Sequence, residues 1–224
     1  MNHTSKGDSS SLQDRLVPAI SAAMAVIVIL SLLTGCIGRG KPSSVVNLYT
    51  FEYPSPSFEA LPRLEHTIKV ERFSVAKAFN TMAMVYRPEP FKLDTYASNR
   101  WMVNPGDMTS DYLLRDLRNS GLFLAVFSQR DYEDARFVLE GGLEEFLEVD
   151  EGKGRSAALT LSVNLLDLSQ AQMPKRLVFQ KRYRSTEVIS EADPAGLARA
   201  MSGVMAKVSA LVIRDVYDSV KALR

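Results

Sequence analysis

Hydrophobic spacing changes character along the chain. Residues 16–38 carry no charge, and residues 22–30 form an unbroken apolar run. From residue 45 onward, apolar positions come in short stretches punctuated by Pro and Gly. Alternation marks a strand with one wet face, and spacing of three to four marks an amphipathic helix. Strands are predicted at residues 45–52, 67–73, 82–87 and 91–96. Pro54 and Pro56 stop the first and Pro88 and Pro90 the third, because proline cannot donate to a ladder. Residues 74–79 fit one helical turn.

Asn104-Pro105 then predicts a helix start, since Asn accepts from free first-turn amides and Pro suits the first helical position. Met108, Tyr112, Leu113, Leu114 and Leu117 give this helix an apolar face, with Asp111, Arg115, Asp116 and Arg118 on the polar one. Gly121 fits a left-handed stop, and residues 122–127 read as a buried strand. Residues 136–149 and 155–168 flank Glu151-Gly152-Lys153-Gly154, a hairpin turn by its glycines. Ala157, Leu159, Leu161, Val163 and Leu165 alternate with polar partners, and Gly141-Gly142 suggests a bulge in the preceding strand. A turn near residues 172–174 leads to a strand at 177–189. Asp193-Pro194 opens a last helix whose stripe, from Leu197 through Met201, Met205, Val208 and Val212 to Val220, is the longest apolar face in the chain. The expected class is α+β: a single domain, with a largely antiparallel sheet and two main helices packed on one face.

Composition narrows the function. The 224 residues carry a formal net charge of +1, which gives no footprint for nucleic acid. One Cys excludes an intramolecular disulfide. His3 and His66 are the only histidines, so the chain is poor in zinc or copper ligands, and neither metal nor cofactor is expected.

The uncharged run has the form of an export signal: a weakly positive start, an apolar centre and small residues at the end. It closes on Leu33-Thr34-Gly35-Cys36, which resembles a bacterial lipoprotein lipobox. That resemblance implies cleavage between Gly35 and Cys36 and acylation of Cys36. The chain then divides into a signal peptide (1–35), a lipid-anchored tether (36–44) and a folded domain (45–224). An uncleaved signal anchor is the competing reading; both place residues 39–224 outside the inner membrane. Ile37, rather than Asp, follows the Cys, which by analogy with enteric bacteria points to the outer membrane, facing the periplasm, with inner-membrane anchoring the alternative. The eight residues 37–44 reach roughly 30 Å when fully extended.

Candidate chemistry is sparse. Glu144, Glu145, Glu148, Asp150 and Glu151 crowd the first hairpin, but their spacing matches no calcium loop and a solvated strand end explains them. Lys175, Arg176, Lys181, Arg182 and Arg184 crowd the last strand, either protecting an edge or facing an acidic partner or anionic lipid. An acidic edge meeting a basic edge on the next molecule would give a homo-oligomer assembled head to tail. Gly152-Lys153-Gly154-Arg155-Ser156 lacks Walker spacing. No G-x-S-x-G elbow accompanies His66, which argues against a hydrolase.

A strand ending in Tyr86-Arg87, the run Tyr96-Ala97-Ser98-Asn99-Arg100-Trp101, an amphipathic helix and Ser120-Gly121-Leu122-Phe123 together resemble the ABC-type transport auxiliary lipoproteins. The resemblance covers most of residues 45–224 and is most specific between 66 and 127. It implies a non-enzymatic periplasmic lipoprotein. Its partners would be an MCE-domain protein and an inner-membrane permease and ATPase, moving lipids or other apolar solutes between membranes. Its motif contains no catalytic residue. Arg100, Trp101, Lys181, Arg182 and Arg184 are the candidate partner contacts, with a core anchor the equal alternative for Trp101. The competing function is a structural or assembly lipoprotein of a secretion or outer-membrane complex.

Overall fold

The structure, a computed structural model, describes residues 45–150, 152 and 154–223 together with Met24. The signal, the lipobox with Gly35 and Cys36, and the tether lie outside the described residues, as do Glu151 and Lys153 of the first hairpin turn. Val45–Arg224 is one compact unit. Its elements in order are β1 (Asn47–Tyr49), β2 (Leu64–Val70), β3 (Ser74–Val75), β4 (Ala83–Arg87), β5 (Asp94–Trp101), α1 (Pro105–Ser120), β6 (Phe123–Ser128), β7 (Phe137–Asp150), β8 (Arg155–Asp167), α2 (Met173–Arg176), β9 (Leu177–Val188) and α3 (Pro194–Ala222).

Among the described residues all nine strands form one curled sheet built around β7. One edge of β7 pairs with β8 from Phe137↔Asp167 to Asp150↔Arg155. The other edge takes three strands in succession, each parallel to it: β2 at Phe137–Leu139, β3 at Gly142–Leu143 and β4 at Glu148–Val149. β6 extends the sheet beyond β2, β5 and β1 extend it beyond β4, and β9 extends it beyond β8. The class is α+β as expected, but the sheet is mixed rather than largely antiparallel. Only β4–β5, β7–β8 and β8–β9 run antiparallel. Those are the pairs joined by short turns; each parallel pair is separated by intervening elements, as parallel pairing requires.

Both main helices start and stop on the chemistry their ends call for. The Asn104 side chain accepts from the Gly106 amide at 3.0 Å, and Gly121 closes α1 at φ 64°. The Asp193 side chain accepts from the Gly196 amide at 2.7 Å. α3 is long and apolar enough to cross a membrane by composition alone, yet 67 % of its most apolar window is buried within this domain. Met201, Val208, Val212 and Val216 are wholly buried, as are Ala157, Leu159, Leu161, Val163 and Leu165 of β8, so α3 is a core helix. It packs on β8 and β9, while α1 packs on β6 and against α3.

Two local expectations need correction. The bulge in β7 is not at Gly141-Gly142, which keep regular register with Val163 and Ser162; it falls between Leu143 and Glu145. The extra residue lets Leu143 and Phe146 both reach the core while Glu144 and Glu145 both turn to the outer face. Gly141 instead permits close packing: a Cβ there would collide with the Ser162 carbonyl and the Phe73 ring. The strand expected at 91–96 begins only at Asp94 and runs on to Trp101, and residues 91–93 are a turn. The Lys92 amide returns to the Glu89 carbonyl, Phe91 takes φ 67°, and pairing resumes only at Asp94. Pro88 and Pro90 lack the amides a ladder needs, which carries the chain out into a turn.

Candidate functional site

The five residues singled out for partner contact do not form one surface. Trp101 ends β5 and is 1 % exposed, edge-on to Phe146 at 5.1 Å and Phe51 at 6.0 Å. It is a core anchor and cannot itself meet a partner. Arg100, its neighbour, is exposed. On β9, Lys181 pairs with Asp215 of α3 at 2.9 Å, Arg182 with Glu144 at 2.6 Å and Arg184 with Glu145 at 3.9 Å. Successive residues point to opposite faces, so Lys181 serves the helix side and the two arginines the outer side. Their charges are met within the domain.

The acidic cluster is likewise dispersed. Glu144 accepts from Ser162, and that bond, with the Arg182 guanidinium, holds its carboxyl below the usual range. Glu145 accepts from Thr160 at 2.6 Å. Glu148 is buried and accepts from the Tyr96 hydroxyl at 2.7 Å. Asp150 receives the Gly152 amide at 2.9 Å. Among the described residues no group of His, Cys, Asp and Glu could hold a metal ion. The head-to-tail pairing of an acidic edge with a basic one does not fit this arrangement. β7 carries strands on both sides, and its acids already face the bases of β9 across β8. His66 lies in β2 with its ring edge-on to Phe137 at 5.5 Å.

A buried polar centre that spacing did not single out joins the two helices. Asp116 is wholly buried on α1, although its sequence placed it on the polar face. It accepts from Tyr53 (2.9 Å), Ser55 (2.8 Å), Ser209 of α3 (2.6 Å) and the Arg115 Nε (2.9 Å). Burial, then the adjacent charge and hydrogen bond of Asp116, push the Tyr53 phenol far above its ordinary range. Arg115 stacks over Tyr53 and Tyr112 at 4.4 and 4.3 Å. The signal was present in the spacing: Asp116 follows buried Leu113 by three and precedes buried Leu117 by one. Every acceptor is engaged within the domain, so the centre is structural.

Two concavities meet where β4 and β7 end. One of about 440 Å³ is lined by Tyr86, Tyr96, Glu148 and Arg155. Burial, followed by the bond to Glu148, raises the Tyr96 phenol, and the rings of Tyr86 and Tyr96 lie 5.2 Å apart. The other, about 940 Å³, is mainly apolar, lined by Phe79, Pro88, Pro90, Phe91, Leu147 and Val149. It is an open, greasy groove with a volume typical of small-molecule sites. Phe91 stands on its rim, fully exposed. The signal for it was the pair of prolines. Such a groove can take apolar material; it presents no nucleophile and base pair.

The structure resembles that of a Xanthomonas campestris protein of the DUF330 family, with a TM-score of 0.71 at 20 % identity, over 79 % of this chain and 98 % of that one. It also resembles a hypothetical protein from Chlamydia trachomatis, with a TM-score of 0.51 at 12 % identity, over 71 % of this chain and 99 % of the other. These likenesses concern the fold. A comparison with curated proteins gives no match. A family model described as ABC-type transport auxiliary lipoprotein component matches residues 49–212.

Proposed function

The chain belongs to the family of ABC-type transport auxiliary lipoprotein components, a family of auxiliary transport subunits rather than of known enzymes, and on that footing we propose how it serves. It is a non-enzymatic accessory of an ABC transport system, anchored through acylated Cys36 to the periplasmic face of the outer membrane. There it docks an MCE-domain protein whose inner-membrane permease and ATPase supply the energy for moving lipids or other apolar solutes. The family match from residue 49 to residue 212 carries the association with transport. The lipobox ending at Cys36 supports the anchor, because two or more acyl chains hold a protein on a membrane far more durably than one.

Crosslinking in native membranes, followed by capture of the full chain and mass spectrometry, tests the partner. Recovery of an MCE-domain protein with its permease and ATPase is expected. Recovery of a secretion machine without them would replace this reading with that of an assembly lipoprotein. Separation of inner and outer membranes locates the chain, and Cys36→Ser is expected to remove it from the outer membrane.

A further inference from the structure

We propose that the sheet end formed by the β4–β5 turn and the β7–β8 turn rests on the lipid bilayer, with Phe91 inserted at its tip. The inference rests on the Cys36 anchor and adds an orientation to it. β1 pairs parallel to β5, Asn47 with Asn99 and Tyr49 with Trp101. The chain therefore enters the domain at Val45 from the side of the β4–β5 turn. Arg87 pairs with Val149 and Ser156 with Val188, so that turn, the β7–β8 turn and the last residue of β9 share one end of the sheet. Exposed apolar side chains gather there: Phe91 and Leu93 in the β4–β5 turn, Val45 and Val46 at the chain entry, and Val188 on the edge strand.

Phe91 is the most telling of these. It is fully exposed, at φ 67°, a conformation a bulky residue rarely adopts. Nothing in the domain covers the ring in return for that backbone cost. An aromatic ring at the water–lipid boundary is favourably placed. Charge does not draw this end to acidic lipid: Lys92 pairs with Glu89 at 3.1 Å, and Asp94 and Asp150 offset Arg87 and Arg155. Contact comes from apolar insertion, so it persists in salt.

The opposite end also exposes apolar residues, Met173 and Leu177. It lies beyond the Phe137↔Asp167 pair, thirteen strand residues from the β7–β8 turn, or roughly 40 Å. The eight residues 37–44 reach roughly 30 Å when fully extended, enough to let the Phe91 end meet the bilayer. With Phe91 in the bilayer, that end lies away from it.

The test uses the full acylated chain in vesicles of phosphatidylethanolamine and phosphatidylglycerol. Acylation blocks the only native thiol, so an environment-sensitive probe can be placed on Phe91→Cys or, as a control, on Met173→Cys. A blue shift of the position-91 probe and loss of its emission to a lipid-borne quencher are expected, unchanged in high salt, with neither at position 173. Leu93→Cys should report the same shift, and lose it when Phe91→Asp is added. A chain that floats with the vesicles and is acylated by mass, but whose position-91 probe is quenched by aqueous iodide, overturns this orientation and leaves the anchor standing. So does a position-91 probe that is aqueous in pure lipid yet crosslinks to a protein in native membranes. An unacylated chain that does not float overturns both.

Discussion

Asp116 shows how one residue can hold two helices and a loop together. Its carboxylate receives Tyr53 and Ser55 from the segment after β1, Ser209 from α3 and Arg115 from its own helix. Removing it leaves several part-buried donors without their acceptor, and losing the wholly buried partner of a charged pair costs up to about 3–5 kcal/mol. Asp116→Ala is therefore expected to lower the urea midpoint sharply, with Ser209→Ala costing only about 1 kcal/mol for a single lost bond. Asp167 gives a pH signature. The Arg136 guanidinium, bonded at 2.9 Å, holds its carboxyl down at about 2 from an ordinary 3.8. A carboxylate with a depressed folded value stabilises fully above its unfolded value and loses that contribution as pH falls toward the folded one. The contribution, roughly 2 kcal/mol, should be intact at neutral pH and vanish between about pH 4 and pH 2. Comparison of Asp167→Asn with the parent across that window by denaturant titration checks it: the two curves should converge in acid.

At the scale of elements, the bulge in β7 sets which side chains reach the core. Leu143 and Phe146 are both buried with two glutamates between them, which strict alternation forbids. Glu144 is the one residue of β7 without a partner in β8, so inserting a second residue beside it would turn Phe146, Glu148 and Asp150 to the wrong faces, since a one-residue slip inverts a strand. The insertion is expected to abolish cooperative unfolding in a denaturant titration, whereas deleting Glu144 keeps Leu143, Glu145 and Phe146 on their present β8 partners and should leave unfolding cooperative. Glu144→Gln should cost under about 1 kcal/mol, because an exposed ion pair contributes little. The alternation of β8 and both helix caps could be read from the sequence, because alternate burial and an Asn-Pro or Asp-Pro start are local signals. The glutamates at 144 and 145 could not, because a bulge is fixed by the partner strand. Strand direction was hidden for the same reason: residues 67–70 read identically whether β7 lies parallel or antiparallel to them. The turn at Pro88–Leu93 was half legible. The prolines marked a break, but the alternation of Phe91, Leu93 and Thr95 pointed to a strand from residue 91 that the backbone delays to Asp94.

At the scale of the whole molecule, the core lies between the inner face of the sheet and α1 and α3, while the outer face carries the Glu144–Arg182 and Glu145–Arg184 pairs. That division places no transport chemistry in the middle of the domain. It leaves Arg100 and the apolar residues at the ends of the sheet exposed. The family could be recognised from local motifs between residues 66 and 127. The candidate contacts could not, because Trp101 is buried by Phe51 and Phe146, one of them from the far half of the chain. The succession of β2, β3 and β4 along one edge of β7 also fixes the order in which the protein can assemble. Translocated from its amino terminus, the chain delivers those three strands before their common neighbour exists. β2 waits for residue 137 and β4 for residue 148. Such long-range pairing makes folding slow and leaves strand edges open in the meantime. A chain ending at residue 136 should bind a hydrophobic dye and unfold without a cooperative transition. Until residues 137–150 arrive, β2, β3 and β4 have no β7 to pair with, and the edges they will share with it stay open.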